Sequence, residues 1–336
     1  MRISVVMATY NGAAFLREQL DSILAQTLLP DEIIISDDGS TDDTWMIIQD
    51  YCSQRPDLFY VYKNEQRLGP HQSFKKAFTH ATGEFIAPAD QDDIWLPNKI
   101  ERSYAELLES GKDLCFMQER ILFENGSLED VNRKITPLYQ TIYQTYLWGH
   151  TCMFRRSVLK VFEVCPYYAW DSTIALWCQC HDSVVAIDEV GSIWRRHAGI
   201  STTFFSNHSS LIIENISSRK KMRKALRMLA EGKSSEPIRI VMEQERLLID
   251  ACYQELGTSQ LKLYSCLMKH LSKQTPFDMI MSGWCSMRII SKNVEGLVLL
   301  DKVKRLFWAF RKPFVWWYDL RDQKRVGNTE PGYLNR

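Results

Sequence analysis

Three carboxylates fall within four positions at Asp90-Gln91-Asp92-Asp93. Side chains this close repel one another unless a cation neutralises them, and hard oxygen ligands suit Mg2+ or Mn2+. Such a cation bridges a diphosphate and stabilises charge building on a departing nucleotide. A solvated loop, or a cap in which Asp93 serves the helix near Pro97, fits the run by itself equally well. Asp37-Asp38-Gly39-Ser40 has two readings: a plain turn, or a carboxylate that accepts a hydrogen bond from a pyrimidine ring N–H. Thr9-Tyr10-Asn11-Gly12 is similar. Tyr10 suits stacking on a base and the backbone N–H groups suit a phosphate, while an ordinary strand-to-helix turn explains the same residues.

The elements that carry these clusters alternate. Ile3–Ala8 is a near-continuous apolar run, as a buried parallel strand should be. Phe15, Leu16, Leu20, Ile23 and Leu24 follow at helical spacing. Glu32–Ser36 is a second strand. Ser40 or Thr41 then caps a helix with Asp43 in its first turn. Phe59–Tyr62 is a third strand, 71–81 a helix, and Phe85-Ile86-Ala87 a fourth strand running into the acidic cluster. This repetition predicts a parallel sheet with right-handed crossovers, in which ligands gather at the carboxyl ends of strands. All three polar clusters fall there. Further on, Leu114–Met117, Thr151–Phe154 and Val184–Asp188 read as strands and 171–180 as a helix. From about 217 the texture turns to basic amphipathic helices, such as Lys220–Leu229 and Arg239–Leu256, with the boundary between about 205 and 220.

The segments SVVMATYNG (4–12), IIISDDGST (33–41) and GEFIAPADQDDIW (83–95), in this order and spacing, resemble the family 2 glycosyltransferases with the GT-A fold. The resemblance covers roughly residues 1–200 and is closest to the bacterial rhamnosyltransferase-like branch that builds surface polysaccharide. It implies an α/β architecture: a Rossmann-like, mostly parallel sheet flanked by helices, then a helical C-terminal region. The implied domains are a catalytic one over 1–210, with a nucleotide half (1–100) and an acceptor half (101–210), and a basic helical region over 211–336. By the same resemblance Thr9, Tyr10 and Asn11 line the nucleotide pocket, Asp38 binds the base, and Asn64 and Gly69 lie in a loop near the nucleotide. Ser73 stands where relatives carry Asn. Asp90 and Asp92 form the DxD pair that contacts ribose and metal, with Asp93 beside them. Ile193-Trp194-Arg195-Arg196-His197 resembles the family's closing element, which makes His197 a metal or phosphate contact. Asp171 matches the general base, with Asp182 as the alternative; that base takes a proton from the acceptor hydroxyl as it attacks the anomeric carbon. Gly149–Phe154 resembles a structural strand on the acceptor side. The implied activity is inverting transfer of a sugar, rhamnose first, from a nucleotide-diphosphate sugar to a lipid-linked saccharide.

Bulk properties bear on partners. The 336 residues are neutral overall, yet 1–216 carry 18 Lys+Arg against 29 Asp+Glu, and 217–336 carry 23 against 12. An acidic catalytic half and a basic C-terminal half facing something anionic follow. The run 302–318 interleaves cations with Trp and Phe, which fits a helix lying on a membrane surface. A core-packing or oligomer-forming helix fits it too. Nucleic acid is excluded as a partner by the acidic catalytic half. No stretch of about twenty apolar residues predicts a spanning helix. The opening Met1-Arg2 runs straight into a strand rather than a signal peptide. With nine cysteines and no CxxC pair, the expectation is a cytoplasmic protein with reduced thiols, peripheral on the inner membrane. Cys178-Gln179-Cys180-His181 is read as packing, with metal ligation as the alternative.

Overall fold

The computed structural model describes residues 2–135, 147–165, 169–197, 222–233, 236–256 and 259–291, with positions 306, 309–311 and 313–314. The strand β1 (Ile3–Thr9) lies at the centre of the first half. It pairs in parallel with β2 (Glu32–Asp37) on one side and β4 (Phe85–Ala89) on the other, and β3 (Phe59–Lys63) extends β2 in parallel. Both faces of β1 are buried, which is why its sequence is apolar without alternation.

One face carries Val5, Met7, Ile33, Ile35, Phe85 and Ala87. It is covered by α1 (Leu16–Leu24), α2 (Thr44–Gln54) and α4 (Lys99–Ser110) through Leu16, Leu20, Ile23, Ile47, Ile48, Ile100 and Leu107. The opposite layer holds α3 (Pro70–Phe78) and α5 (Trp170–Cys180). Phe78 meets Phe154 edge-on at 5.7 Å, and Phe74 lies 5.0 Å from Trp170.

The parallel order ends after β4. β6 (Leu114–Leu122), β7 (Leu128–Val131), β8 (Cys152–Arg155) and β9 (Val184–Arg195) complete the sheet with the two-residue β5 (Ile94–Trp95), in the order β3-β2-β1-β4-β8-β6-β9-β5 with β7 on β6. β8 runs antiparallel to both β4 and β6, whereas β6 and β9 are parallel. The parallel pattern expected from the first hundred residues therefore does not extend through the second half. There β6 and β7 are joined by a tight hairpin, turned at Gly126 (φ 82°), and a hairpin dictates antiparallel pairing.

Two local expectations change. Helix α2 starts at Thr44, not after Ser40 or Thr41. Ser40 is held by Asp37, and Asp42 instead accepts the Thr44 N–H at 3.1 Å. The last strand does not stop at Asp188 but runs to Arg195, so Trp194 and Arg195 lie in a strand paired with β6 and β5.

The chain divides into two compact units: 1–137, 145–162 and 169–200 in one, and 138–144, 163–168 and 201–336 in the other. The expected boundary at 205–220 lies outside the described residues. The second unit contains a helix over 222–230, then α6 (Glu236–Leu256), α7 (Ser259–Lys273) and α8 (Pro276–Ser291). Leu248, Ile249, Cys252, Tyr264, Leu267, Met268 and Met279 form its core. Of the 302–318 run, Ala309 and Phe314 are buried, and a Cβ at Gly283 would meet the Phe310 ring at 2.8 Å. The rest of that run lies outside the described residues. No described helix is long and apolar enough to cross a membrane.

Glu32 ties three segments together at the start of the sheet. Its buried carboxylate accepts bonds from Ser4 Oγ (2.5 Å), Thr82 N (2.7 Å), Thr82 Oγ1 (3.0 Å) and Gly83 N (3.2 Å). Burial alone pushes its pKa up, but these donors outweigh burial and hold it below the ordinary 4.5. A depressed folded pKa contributes stability that is fully present above the unfolded value and lost as pH falls through the folded one. Glu32→Gln should lower unfolding stability at pH 7 by about 1–2 kcal/mol, and the loss should shrink below pH 4 in urea titrations.

Candidate active site

The first three loops meet at the carboxyl ends of β1, β2 and β4, and hydrogen bonds lock them together. Gln91, between the acidic positions, clamps the end of β1: its Oε1 accepts the Tyr10 N–H (2.9 Å) and its Nε2 donates to the Tyr10 carbonyl (3.0 Å). Gly12 makes room for this clamp, since a Cβ there would stand 2.2 Å from Gln91 Oε1. Asn11 adopts a left-handed conformation (φ 47°), which Asn tolerates well, and its Oδ1 accepts the Thr41 N–H at 2.8 Å. The N–H groups of Tyr10, Asn11 and Gly12, expected to face phosphate, instead donate to Gln91, Ser40 Oγ and Thr44 Oγ1. Side chains of the neighbouring loops have taken the place of an anion.

The Asp37-Asp38 pair divides its work. Asp37 accepts Thr9 Oγ1 (3.1 Å), Ser40 Oγ (2.5 Å) and Ser40 N (3.0 Å), so it builds the turn. Asp38 accepts Asn64 Nδ2 (2.9 Å) and the backbone N–H groups of Leu68 and Gly69 (2.7 Å each), which fixes the 64–69 loop beside Tyr10. Asn64 is buried with Ser36 and Ser73. Tyr10 is half-buried, with the Arg67 guanidinium 3.9 Å over its ring.

The acidic run itself splits in two. Asp92 Oδ2 lies 2.9 Å from His197 Nε2, and the Asp92 carbonyl accepts Arg195 Nε at 3.3 Å. Asp90 and Asp93 turn instead toward His150, whose Nδ1 is 3.3 Å from Asp90 Oδ2 and 3.6 Å from Asp93 Oδ2. One ligand atom from each of Asp90, Asp93 and His150 falls within 4.8 Å of the others. Among the described residues this is the group of three with metal-binding geometry. The expected set of Asp92, Asp93 and His197 is thus distributed over two neighbouring clusters.

Burial and charge explain why a cation fits. Asp93 is 0% exposed and its Oδ2 accepts no hydrogen bond, an unsatisfied oxygen of the kind folded chains rarely tolerate. Burial first, then Asp90 and Asp92, push the Asp93 carboxyl well above the usual range, against the pull of His150. Burial also raises Asp92, with Asp90 adding to it. Burial alone would lower the His150 imidazole, but Asp93, Asp90 and Glu119 outweigh it and raise it well above its ordinary value. The cluster thus lacks compensating positive charge, and two carboxylates with one imidazole suit Mn2+.

His150 is held from behind. Its Nε2 faces Glu119 Oε2 at 2.9 Å, and Glu119 is fully buried and paired with Arg133 at 2.8 Å. Arg133 stacks 3.4 Å over Trp148, which meets Trp194 edge-on at 4.3 Å. A carboxylate on one ring nitrogen orients the other toward a metal. Lys99, buried and lowered to about 8 chiefly by desolvation, donates to the His150 carbonyl at 2.5 Å. Glu119, Arg133 and Lys99 carry no local motif, and His150 reads as part of a structural strand. Only their meeting in space reveals them.

Asp171 opens α5 next to Trp170, whose ring fills the space a Cβ at Gly149 would need. Asp171 and Asp90 both act electrostatically on His71, raising its pKa, though burial lowers it overall. Asp182 lies past the other end of α5 with its side chain fully exposed, paired with Lys112 at 3.3 Å. In the Cys178–His181 segment both cysteines are buried and His181 Nδ1 lies 2.7 Å from the Trp177 carbonyl, in agreement with packing.

Mn2+ should raise the midpoint of thermal unfolding, by about 2.7 kcal/mol of stability at a hundredfold excess over Kd. Asp93→Asn should abolish the shift and His197→Asn should retain most of it. Because the cation replaces protons on groups of raised pKa, calorimetry should show proton release on binding.

Residues 4–162 match the family described as Glycosyl transferase family 2. A glycosyltransferase of Nostoc sp. is 41% identical over 197 residues, covering 53% of this chain and 59% of that protein. A UDP-Glc:alpha-D-GlcNAc-diphosphoundecaprenol beta-1,3-glucosyltransferase of Escherichia coli, WfgD, is 29% identical over 124 residues, 37% of this chain and 48% of that one. The chain therefore spans about half the length of these relatives. Among solved structures, S. aureus TarS in complex with UDP-GlcNAc superposes with a TM-score of 0.52 at 20% identity, covering 97% of this chain and 92% of that chain, a likeness of fold. The likeness to glycosyl transferase family 2 thus covers residues 4–162, just under half of the chain, on a fold shared with TarS.

Proposed function

We propose that the protein is an inverting glycosyltransferase of surface polysaccharide synthesis. It moves a sugar from a pyrimidine nucleoside-diphosphate donor to a saccharide carried on a lipid diphosphate. The observation that carries this reading is the convergence of Tyr10, Asp38 and the Asp90–Asp93 run at three neighbouring strand ends around a cation-shaped cluster. The E. coli relative is named for a UDP-linked donor and an acceptor on diphosphoundecaprenol, and TarS was solved with UDP-GlcNAc. The resemblance to the rhamnosyltransferase-like branch makes a deoxythymidine-diphosphate-rhamnose donor the first to test, with UDP sugars next.

In this reading Tyr10 and the 64–69 loop held by Asp38 receive the nucleoside. The remaining acceptor capacity of the Asp38 carboxylate serves the base. Asp90, Asp93 and His150 hold Mg2+ or Mn2+, with Asp92 and His197 beside them. When bound, the cation supplies positive charge against the departing diphosphate. Asp171 takes the proton of the acceptor hydroxyl as its oxygen bonds to the anomeric carbon and the carbon–oxygen bond to the diphosphate breaks. The exposed ion pair of Asp182 with Lys112 favours Asp171 as the base. The reaction takes place beside the lipid, so the protein works at the cytoplasmic face of the membrane.

Calorimetry against a panel of nucleotide sugars with Mn2+ identifies the donor. Asp171→Asn should leave donor affinity within about twofold and lower kcat by about 10²–10⁴, while Asp182→Asn leaves both unchanged. Release of free sugar at the same rate with and without acceptor would instead assign a hydrolase.

A further inference from the structure

The helical hairpin of α7 and α8 presents a surface that the transfer reaction does not use. On α8, Phe277 is 67% exposed, Ile280 41% and Trp284 54%. Their spacing of three and four residues places them on one ridge of the helix. Met279, Ser282, Gly283, Cys285 and Ile289 face inward. Trp284 is steadied from one side by Phe310, whose ring lies 6.4 Å away edge-on. The apolar ridge is therefore displayed by a well-packed helix.

Charge decides what fits this ridge. Asp278 is the only acid between Ser259 and Ser291. It is buried, accepting Thr275 Oγ1 at 2.6 Å and lying 2.8 Å from His270 Nδ1. The exposed charges are cations. Lys262, Lys269 and Lys273 follow at steps of seven and four along one face of α7, and Lys273 and Arg288 bracket the ridge of α8. A second copy placed symmetrically on this surface would set these cations against one another. An anionic lipid surface matches both features, since aromatic side chains settle at the headgroup level and lysines meet the phosphates.

We propose that the α7–α8 hairpin is a docking face for an anionic phospholipid surface, with Phe277, Ile280 and Trp284 inserting at the interface and Lys262, Lys269 and Lys273 meeting the headgroups. Docking is read without donor or acceptor, so its failure and the failure of the transfer reaction are separable.

The test is co-sedimentation of the full chain with vesicles of phosphatidylglycerol and phosphatidylcholine, against phosphatidylcholine alone. Binding to the anionic vesicles should be about tenfold stronger and should collapse in about 0.5 M salt. Phe277→Gln with Trp284→Gln, and separately the triple change Lys262→Gln, Lys269→Gln and Lys273→Gln, should each weaken it about tenfold with unchanged helical circular dichroism. If the double variant unfolds, Phe277→Gln alone is read, since that side chain is the most exposed. Equal binding by wild type and folded variants overturns the proposal. So does a lipid-independent dimer that the ridge variants abolish.

Discussion

Buried negative charge at the end of β4 is the constraint around which the first unit is arranged. Asp90, Asp93 and Glu119 gather about the buried His150, Asp92 stands beside them on His197, and Arg133 pairs with Glu119. A fold retains such an arrangement only with compensation, because leaving a buried charge unpaired costs several kcal/mol. A divalent cation held by Asp90, Asp93 and His150 would provide that compensation. The supporting shell follows from this need. Glu119 fixes one imidazole nitrogen, Arg133 and Trp148 fix Glu119, and Lys99 fixes the His150 backbone.

Around Tyr10 the logic is reversed. Asp37, Asn64 and Ser73 are consumed by internal bonds, and the loop N–H groups that an anion would use are bonded to Gln91, Ser40 and Thr44. The loops are thereby preorganised before any ligand arrives. What they leave available is the half-buried ring of Tyr10 with Arg67 over it, a flat amphipathic surface suited to a base.

The first hundred residues were legible because each strand is short, apolar and followed by a polar loop, and the pattern repeats. Even there the helix cap was misplaced: α2 starts at Thr44 with Asp43 before it, because the Ser40 hydroxyl is bonded to Asp37. The second half was harder to read. There β6 and β7 are joined by a hairpin, and the direction of β8 is fixed by pairing partners distant in sequence. The acidic run was visible, but its division was not. Whether Asp90 or Asp92 faces His150 depends on the twist of the four-residue stretch between β4 and β5. Glu119, Arg133 and His150 come from three elements and share no spacing. Most of the 302–318 run lies outside the described residues, and the exposed ridge on α8 comes from Phe277, Ile280 and Trp284.

Gln91 has a significance beyond holding a loop in place. By grasping both the N–H and the carbonyl of Tyr10, it makes the aromatic platform and the acidic run a single mechanical part. Whatever settles on the Tyr10 ring acts on the segment that positions Asp90 on one side of Gln91 and Asp92 on the other. Two binding events that share such a part are thermodynamically reciprocal: any strengthening that the cation lends the nucleoside is returned in equal measure. A side chain at position 12 would occupy the place of the Gln91 amide and so release the clamp.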